Sequence, residues 1–142
     1  MSDFKQKKIL TGKNVFQSAT ERIEWVFDTF SDICLSFSGG KDSTVLFHLV
    51  ADIARRKKRR FSVLFIDWEA QYSCTIHHVQ KMREMYLDVT EFFYWVALPL
   101  TTVNGVSQFQ PEWICWESGA EWVRKPPDYA ITDPAFLFIG MP

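Results

Sequence analysis

The stretch Ile33-Cys34-Leu35-Ser36-Phe37-Ser38-Gly39-Gly40-Lys41-Asp42-Ser43-Thr44-Val45-Leu46-Phe47-His48-Leu49-Val50 decides the fold. Its first five residues form a short apolar run that reads as a strand, and two glycines break it at once. Val45, Leu46, Leu49, Val50 and Ile53 then resume a broad apolar face at helical spacing. The order is strand, glycine turn, helix. A small turn at that junction bends tightly and aims the early N–H groups of the helix at an anion, with phosphate the natural guest. Gly39 and Gly40 supply the bend, Ser36 borders it, and Ser38, Ser43 and Thr44 add hydroxyl donors. Lys41 adds charge, and Asp42 either caps the helix or holds a hydrated magnesium ion against phosphate oxygens. Outside this context SGGKDS is only a flexible turn. Neither the dinucleotide pattern GxGxxG nor the triphosphate spacing GxxxxGK[ST] is present.

Upstream of the loop, Asn14 is an N-cap with Gln17 three positions on, and Phe16, Ala19, Ile23, Phe27 and Phe30 recur at helical spacing, predicting a helix over 15–30. Downstream, Phe61 to Ile66 is apolar apart from Ser62, which suits a central strand covered on both faces and ending at Asp67. Ser73 is placed to cap a helix reaching about Leu87, and a ring-rich strand from near Val89 through Leu98 stops at Pro99. Strands alternating with helices predict an α/β fold with a mostly parallel sheet flanked by helices. Periodicity fades over residues 101–134, predicted as loops with one short helix near 111–118 that extend a pocket or an interface. Ala135 to Ile139 reads as a last strand.

The chain has 142 residues, 47% of them hydrophobic, which suits a single domain preceded by a polar segment over 1–13. Phe 13, Trp 6 and Tyr 4 make 23 rings, more than one small core readily hides, so some are expected to face a ligand or a partner. Net charge is -1 but unevenly spread: residues 1–60 carry 12 Lys and Arg against 7 Asp and Glu, and residues 61–142 carry 4 against 10. The run Arg55 to Arg60 reads either as a solvated helix end or as a patch for phosphates or an acidic partner, so direct nucleic-acid binding stays open. No secretion signal is visible, Cys34, Cys74 and Cys115 lack paired spacing, and the apolar runs are too short to span a membrane. A cytoplasmic location is the expectation.

Ser36 to Ser43, reading SFSGGKDS, resembles the PP-loop of the ATP-pyrophosphatase and phosphoadenosine-phosphosulfate (PAPS) reductase superfamily. The resemblance covers residues 15 to about 98 and implies an adenine nucleotide alpha-hydrolase-like fold. It also implies binding of ATP or a related adenine nucleotide with Mg2+, through Ser36, Ser38, Gly39, Gly40, Lys41, Asp42, Ser43 and Thr44. In pyrophosphatase members such a loop holds the β and γ phosphates while the α phosphate is attacked, giving an adenylated substrate and pyrophosphate. By the strand-end rule for parallel sheets, Asp67, Trp68 and Glu69 border the same crevice. Asp67 is a candidate ribose or metal contact or a cap of the next turn, and Trp68 either stacks on a base or packs. Lys41, Asp42 and Asp67 are the catalytic candidates, with Asp42 and Asp67 toward the metal.

Tyr94 to Leu100 and Pro111 to Glu117 make the wider pattern similar to proteins related to immunoglobulin-binding regulator A. Those proteins are usually longer and often accompany a ParB-like partner, so a shortened member and a ParB-like partner are what this similarity implies, while the surplus of rings leaves a homo-oligomer open. Sulfate reduction is not expected, because Cys115 does not lie in the Glu-Cys-Gly context of true reductases. A nucleotide-dependent regulatory module without turnover is the alternative function. Asn104, Gln108, Glu112, Trp113, Trp116 and Glu117 are candidates for the crevice wall. Cys74 and His78, at i,i+4 spacing, form a weak metal pair, and His48 reads as packing or surface.

Overall fold

In the computed structural model, residues 12–104 and 108–137 are described. Helix α1 (Val15–Thr29) opens on the predicted capping box: Asn14 Oδ1 accepts from the Gln17 N–H at 2.8 Å and Gln17 Oε1 accepts from the Asn14 N–H at 3.1 Å. Strand β1 (Cys34–Ser36) leads through the glycine loop into α2 (Lys41–Lys57). Strand β2 (Phe61–Ile66), helix α3 (Ser73–Met85) and strand β3 (Thr90–Val96) follow. The three strands form one parallel sheet in the order β1-β2-β3, with Leu35 beside Val63 and Phe65 beside Trp95. An α/β fold with a parallel sheet flanked by helices is therefore observed. The bridge Val96 to Ile131 runs along the far side of β3.

Phe61, Val63 and Phe65 point into a core completed by Ile23 and Phe27 of α1, Phe47 and Val50 of α2, and Val79 and Met82 of α3. Rings fill much of it: Phe47 lies edge-on to Phe37 and Phe61 and stacks on Tyr86 at 5.0 Å. The expectation that β2 is covered on both faces is corrected, since Ser62 and Leu64 are half-buried and Ile66 is exposed. Register also shifts between Phe61 and Val63, so an irregularity in β3 changes its phase. Glu91 and Phe92 both face outward, and Trp95 comes to the buried side against Phe65 at 4.6 Å.

Three further expectations change. Ser73 is the first helical residue rather than the cap; Tyr72 takes the cap position without a side-chain hydrogen bond, and the helix ends at Met85. The region expected to hold a helix near 111–118 instead carries strand β5 (Glu112–Cys115), antiparallel to β4 (Leu100–Val103). Alternation of Glu112, Trp113, Ile114 and Cys115 with cross-strand partners outweighs helical propensity there. The last strand expected at 135–139 is a 3-10 turn over Pro134–Leu137, and residues 138 and 139 lie outside the described residues, as does most of the polar segment 1–13.

The basic run is largely consumed inside the molecule. Arg55 pairs with Asp88, Arg56 with Glu24 and Asp52, and Lys57 with Asp28. Arg60 donates to the carbonyls of Leu87 and Thr90. Arg59 reaches the Phe27, Phe30 and Ser31 carbonyls at the end of α1, with its guanidinium 5.4 Å from the Phe27 ring. The solvated-helix-end reading thus gains intramolecular partners for five of the six cations, while Lys58 is exposed. Exposed ion pairs of this kind add little stability, whereas charge-assisted bonds to helix-end carbonyls add more. Arg59→Ala is expected to lower stability by about 2 kcal/mol. Lys58→Gly is expected to raise it by about 0.5 kcal/mol, because Lys58 sits in the left-handed region at φ 54. Urea unfolding monitored by tryptophan fluorescence measures both.

Candidate functional site

The glycine loop emerges from the carboxyl end of β1, and Asp67 emerges from the same end of the neighbouring β2; the Phe37 N–H donates to the Leu64 carbonyl at 2.9 Å just before the two strands part. Gly39 has φ +76, and a Cβ built on it would meet Val79 Cγ2 at 2.8 Å and Thr75 Cγ2 at 3.0 Å. Both the left-handed backbone and the close approach of α3 therefore require glycine. Gly40 is the N-cap of α2 and provides no side-chain cap, in contrast to the complete capping box of α1. By helix geometry the first-turn N–H groups of α2 have no intrahelical acceptor, so they point outward from the end of the helix.

Around them the hydroxyls form a local network. Ser38 Oγ and Ser43 Oγ lie 3.0 Å apart, the Gly40 N–H reaches Ser38 Oγ at 3.4 Å, and Ser43 and Thr44 both bond to the Gly40 carbonyl. Lys41 and Asp42 are exposed. Ser36 is the exposed last residue of β1, two positions before the loop. The predicted phosphate-loop residues are thus contiguous and accessible at one end of the sheet.

Asp67 and Glu69 are placed differently from that loop. Asp67 is 1% exposed and Glu69 3%. Asp67 Oδ2 accepts from Trp95 Nε1 at 2.7 Å; Oδ1 accepts from the Glu69 N–H at 3.0 Å and from Arg124 Nη2. Glu69, at φ 58, accepts from the Trp116 N–H at 2.6 Å and the Val123 N–H at 2.7 Å. Trp116 Nε1 donates to the Asp67 carbonyl, and Arg124 also donates to the Glu69 carbonyl while lying over the Trp116 ring. A ribose or metal contact through Asp67 would have to break into this network. Trp68 remains 46% exposed at the edge of it.

Of the expected crevice wall, Trp116 is buried in that network, Trp113 packs against Ala97, Cys115 and Trp116, and Glu112 and Glu117 are exposed. Of the Cys74 and His78 pair, Cys74 is exposed and His78 Nε2 lies 2.8 Å from Thr44 Oγ1, and no group of three or more potential metal ligands gathers among the described residues. His48 bonds to the Tyr86 hydroxyl within the α2–α3 packing. Sequence reasoning missed Arg124. Its signal was a carboxylate ending an apolar strand in a half of the chain with few cations, because a buried Asp demands a partner. Burial pushes the Cys115 thiol up, and the nearby Glu69 carboxylate adds to the shift. A cleft of about 320 Å3 lined by Asp32, Cys34, Arg60, Glu91 and Tyr94 lies at the amino ends of the strands, the end of a parallel sheet that does not usually hold ligands.

The loop thus stands at the carboxyl end of a parallel sheet in an α/β domain, between a strand and a helix without a side-chain cap. The chain matches the phosphoadenosine phosphosulfate reductase domain over residues 32–109 and belongs to that family. It is 57% identical over 135 residues to the uncharacterized protein YbdN of Escherichia coli (strain K12), a match covering 95% of this chain and 33% of that protein. The chain thus spans about a third of the length of this relative. No solved structure matches it significantly. Family membership ties the chain to nucleotide-related function, and among the described residues no helix is long and apolar enough to cross a membrane.

Asp67→Asn is expected to cost about 3 kcal/mol by leaving Arg124 without its charge partner, and Gly39→Ala about 2 kcal/mol from backbone strain and the clash with Val79. Thermal unfolding with urea titration ranks them. A thiol whose folded pKa is raised contributes stability at pH below its unfolded pKa and loses it as pH rises from there through the folded value. Stability is therefore expected to fall as the pH is raised through and beyond the ordinary thiol range, and to fall less steeply in Cys115→Ala, as read from unfolding curves across that range.

Proposed function

We propose that the loop Ser38 to Thr44 holds the phosphates of ATP or a related adenine nucleotide. The observation that carries this reading is the amino end of α2: it has no side-chain cap, stands at the carboxyl edge of a parallel sheet, and is ringed by the Ser38, Ser43 and Thr44 hydroxyls. The N–H groups of Lys41, Asp42 and Ser43 face the phosphate, Lys41 neutralises charge on it, and Ser36 flanks the entry. Gly39 and Gly40 let the backbone approach closely. Trp68 is available to stack on the base, and Asp67 with Glu69 holds the neighbouring strand end in shape from beneath.

No cluster of side chains among the described residues suits a resident metal. Magnesium fits as part of a metal–nucleotide substrate, carried by phosphate oxygens and water and approached by the exposed carboxylate of Asp42. In adenylyl transfer, an acceptor nucleophile would form a bond to the α phosphorus while the bond to the bridging oxygen breaks and pyrophosphate leaves. Lys41 and the helix donors would stabilise the departing charge. The engaged oxygens of Asp67 favour a second reading, in which the bound nucleotide stabilises one conformation of a regulatory module without turnover. Neither reading assigns a ParB-like partner or a second copy of the chain.

Isothermal titration with ATP, PAPS and adenosine phosphosulfate, with and without magnesium, tests the proposal. At least one of them should bind, and Lys41→Ala and Ser43→Ala should each weaken it about tenfold. Absence of binding by all three would remove the proposal. Pyrophosphate release from ATP separates the enzymatic reading, which requires it, from the regulatory one.

A further inference from the structure

Three residues on one face of α3, Thr75, His78 and Val79, pack against the glycine loop and the first turn of α2. Thr75 and Val79 close on Gly39. His78 is half-buried, with its ring 6.2 Å from that of Phe37 at the end of β1 and its Nε2 2.8 Å from Thr44 Oγ1. It therefore touches both sides of the junction between strand and helix.

The hydrogen accounting at Thr44 shows what this contact does. Thr44 Oγ1 has one hydrogen and two neighbours at 2.8 Å, His78 Nε2 and the Gly40 carbonyl. That carbonyl can only accept, and it already takes the Thr44 N–H at 2.9 Å. If Thr44 donates its hydroxyl hydrogen there, the two lone pairs of the Gly40 oxygen are filled. Ser43, whose hydroxyl also lies 3.0 Å from the same carbonyl, is then released to donate elsewhere. This allocation requires His78 to donate from an Nε2–H. In the opposite tautomer Thr44 donates to the imidazole, and the vacant lone pair on Gly40 draws the Ser43 hydroxyl inward.

We propose that His78 is a positioning residue for the phosphate loop, acting through Thr44: as the Nε2–H tautomer it holds Thr44 against Gly40 and leaves the Ser43 hydroxyl free for a phosphate oxygen. The proposal rests on the loop reading above. His78 itself touches no ligand.

A double-mutant cycle with Mg·ATP as the probe tests it. His78→Leu should weaken ATP binding about fivefold, Thr44→Val by a similar factor, and the pair no more than about fivefold together. His78→Gln, whose side-chain amide can donate to Thr44, should bind within about twofold of the native chain. Additive losses, or a Gln variant as weak as the Leu variant, would overturn the proposal. If the native chain binds no ATP, the loop reading fails, and the His78 contact is judged separately in the ligand-free protein. There, long-range nitrogen–proton NMR should show a hydrogen on His78 Nε2, and Thr44→Val should shift its ring signals. The Nδ1–H tautomer, or ring signals indifferent to Thr44, would reject the inference. Circular dichroism of each variant establishes that it is folded, and His78→Gln with Thr44→Val still decides the matter if His78→Leu is not.

Discussion

The carboxylate of Asp67 lies at the end of the central strand with almost no exposure, and an ionised group there is tolerable only if every oxygen is matched. Trp95 matches it from β3, the Glu69 N–H from the turn that follows, and Arg124 from more than fifty residues further along the chain. That requirement organises what lies around it. It explains why the phase shift in β3 brings Trp95 inward, and why the segment beyond β5 returns to the sheet to deliver Arg124. Glu69 and Trp116 both take left-handed backbone conformations at this point, unusual for their residue types and held by the bond between them.

The loop beside this network works on the opposite principle. Both oxygens of Asp67 and of Glu69 already accept hydrogen bonds, whereas α2 begins with donors that no side chain caps. A rigid, satisfied strand end next to an unsatisfied helix end is the arrangement expected where a fixed scaffold presents backbone donors to an anion. Helix α3 completes it from the side, since Val79 and Thr75 leave room only for glycine at position 39. The aromatic surplus divides accordingly. Phe27, Phe37, Phe47, Phe61, Phe65 and Trp95 build the core, Trp116 shields the carboxylates, and Trp68 remains half-exposed just past the end of β2.

Much of the fold was legible because local signals agreed with one another. The Asn14 and Gln17 box, the apolar runs of β1 and β2, and the glycine pair between Phe37 and Lys41 each specify their own conformation through nearest neighbours. The loop residues were legible for the same reason, being contiguous. The hairpin of β4 and β5 was not, because the pairing of Leu100 with Cys115 is a long-range contact and the intervening Gly105 and Pro111 mask any period. The fate of the basic run was equally hidden. Six adjacent cations look like a surface for phosphates until Glu24 and Asp28 are brought to them from α1 and Asp88 from the turn after α3.

The sequence by itself determined the parallel α/β order, the place of the glycine loop in it and the chemistry of the residues that loop displays, since all of these depend on short-range backbone preferences. Only the tertiary structure decided that both oxygens of Asp67 accept hydrogen bonds, that Arg124 is its partner, and that His78 reaches Thr44. Those outcomes depend on which distant groups meet in a low-dielectric interior. There the energy of an unpaired charge or donor exceeds any local preference, and no spacing along the chain encodes the meeting.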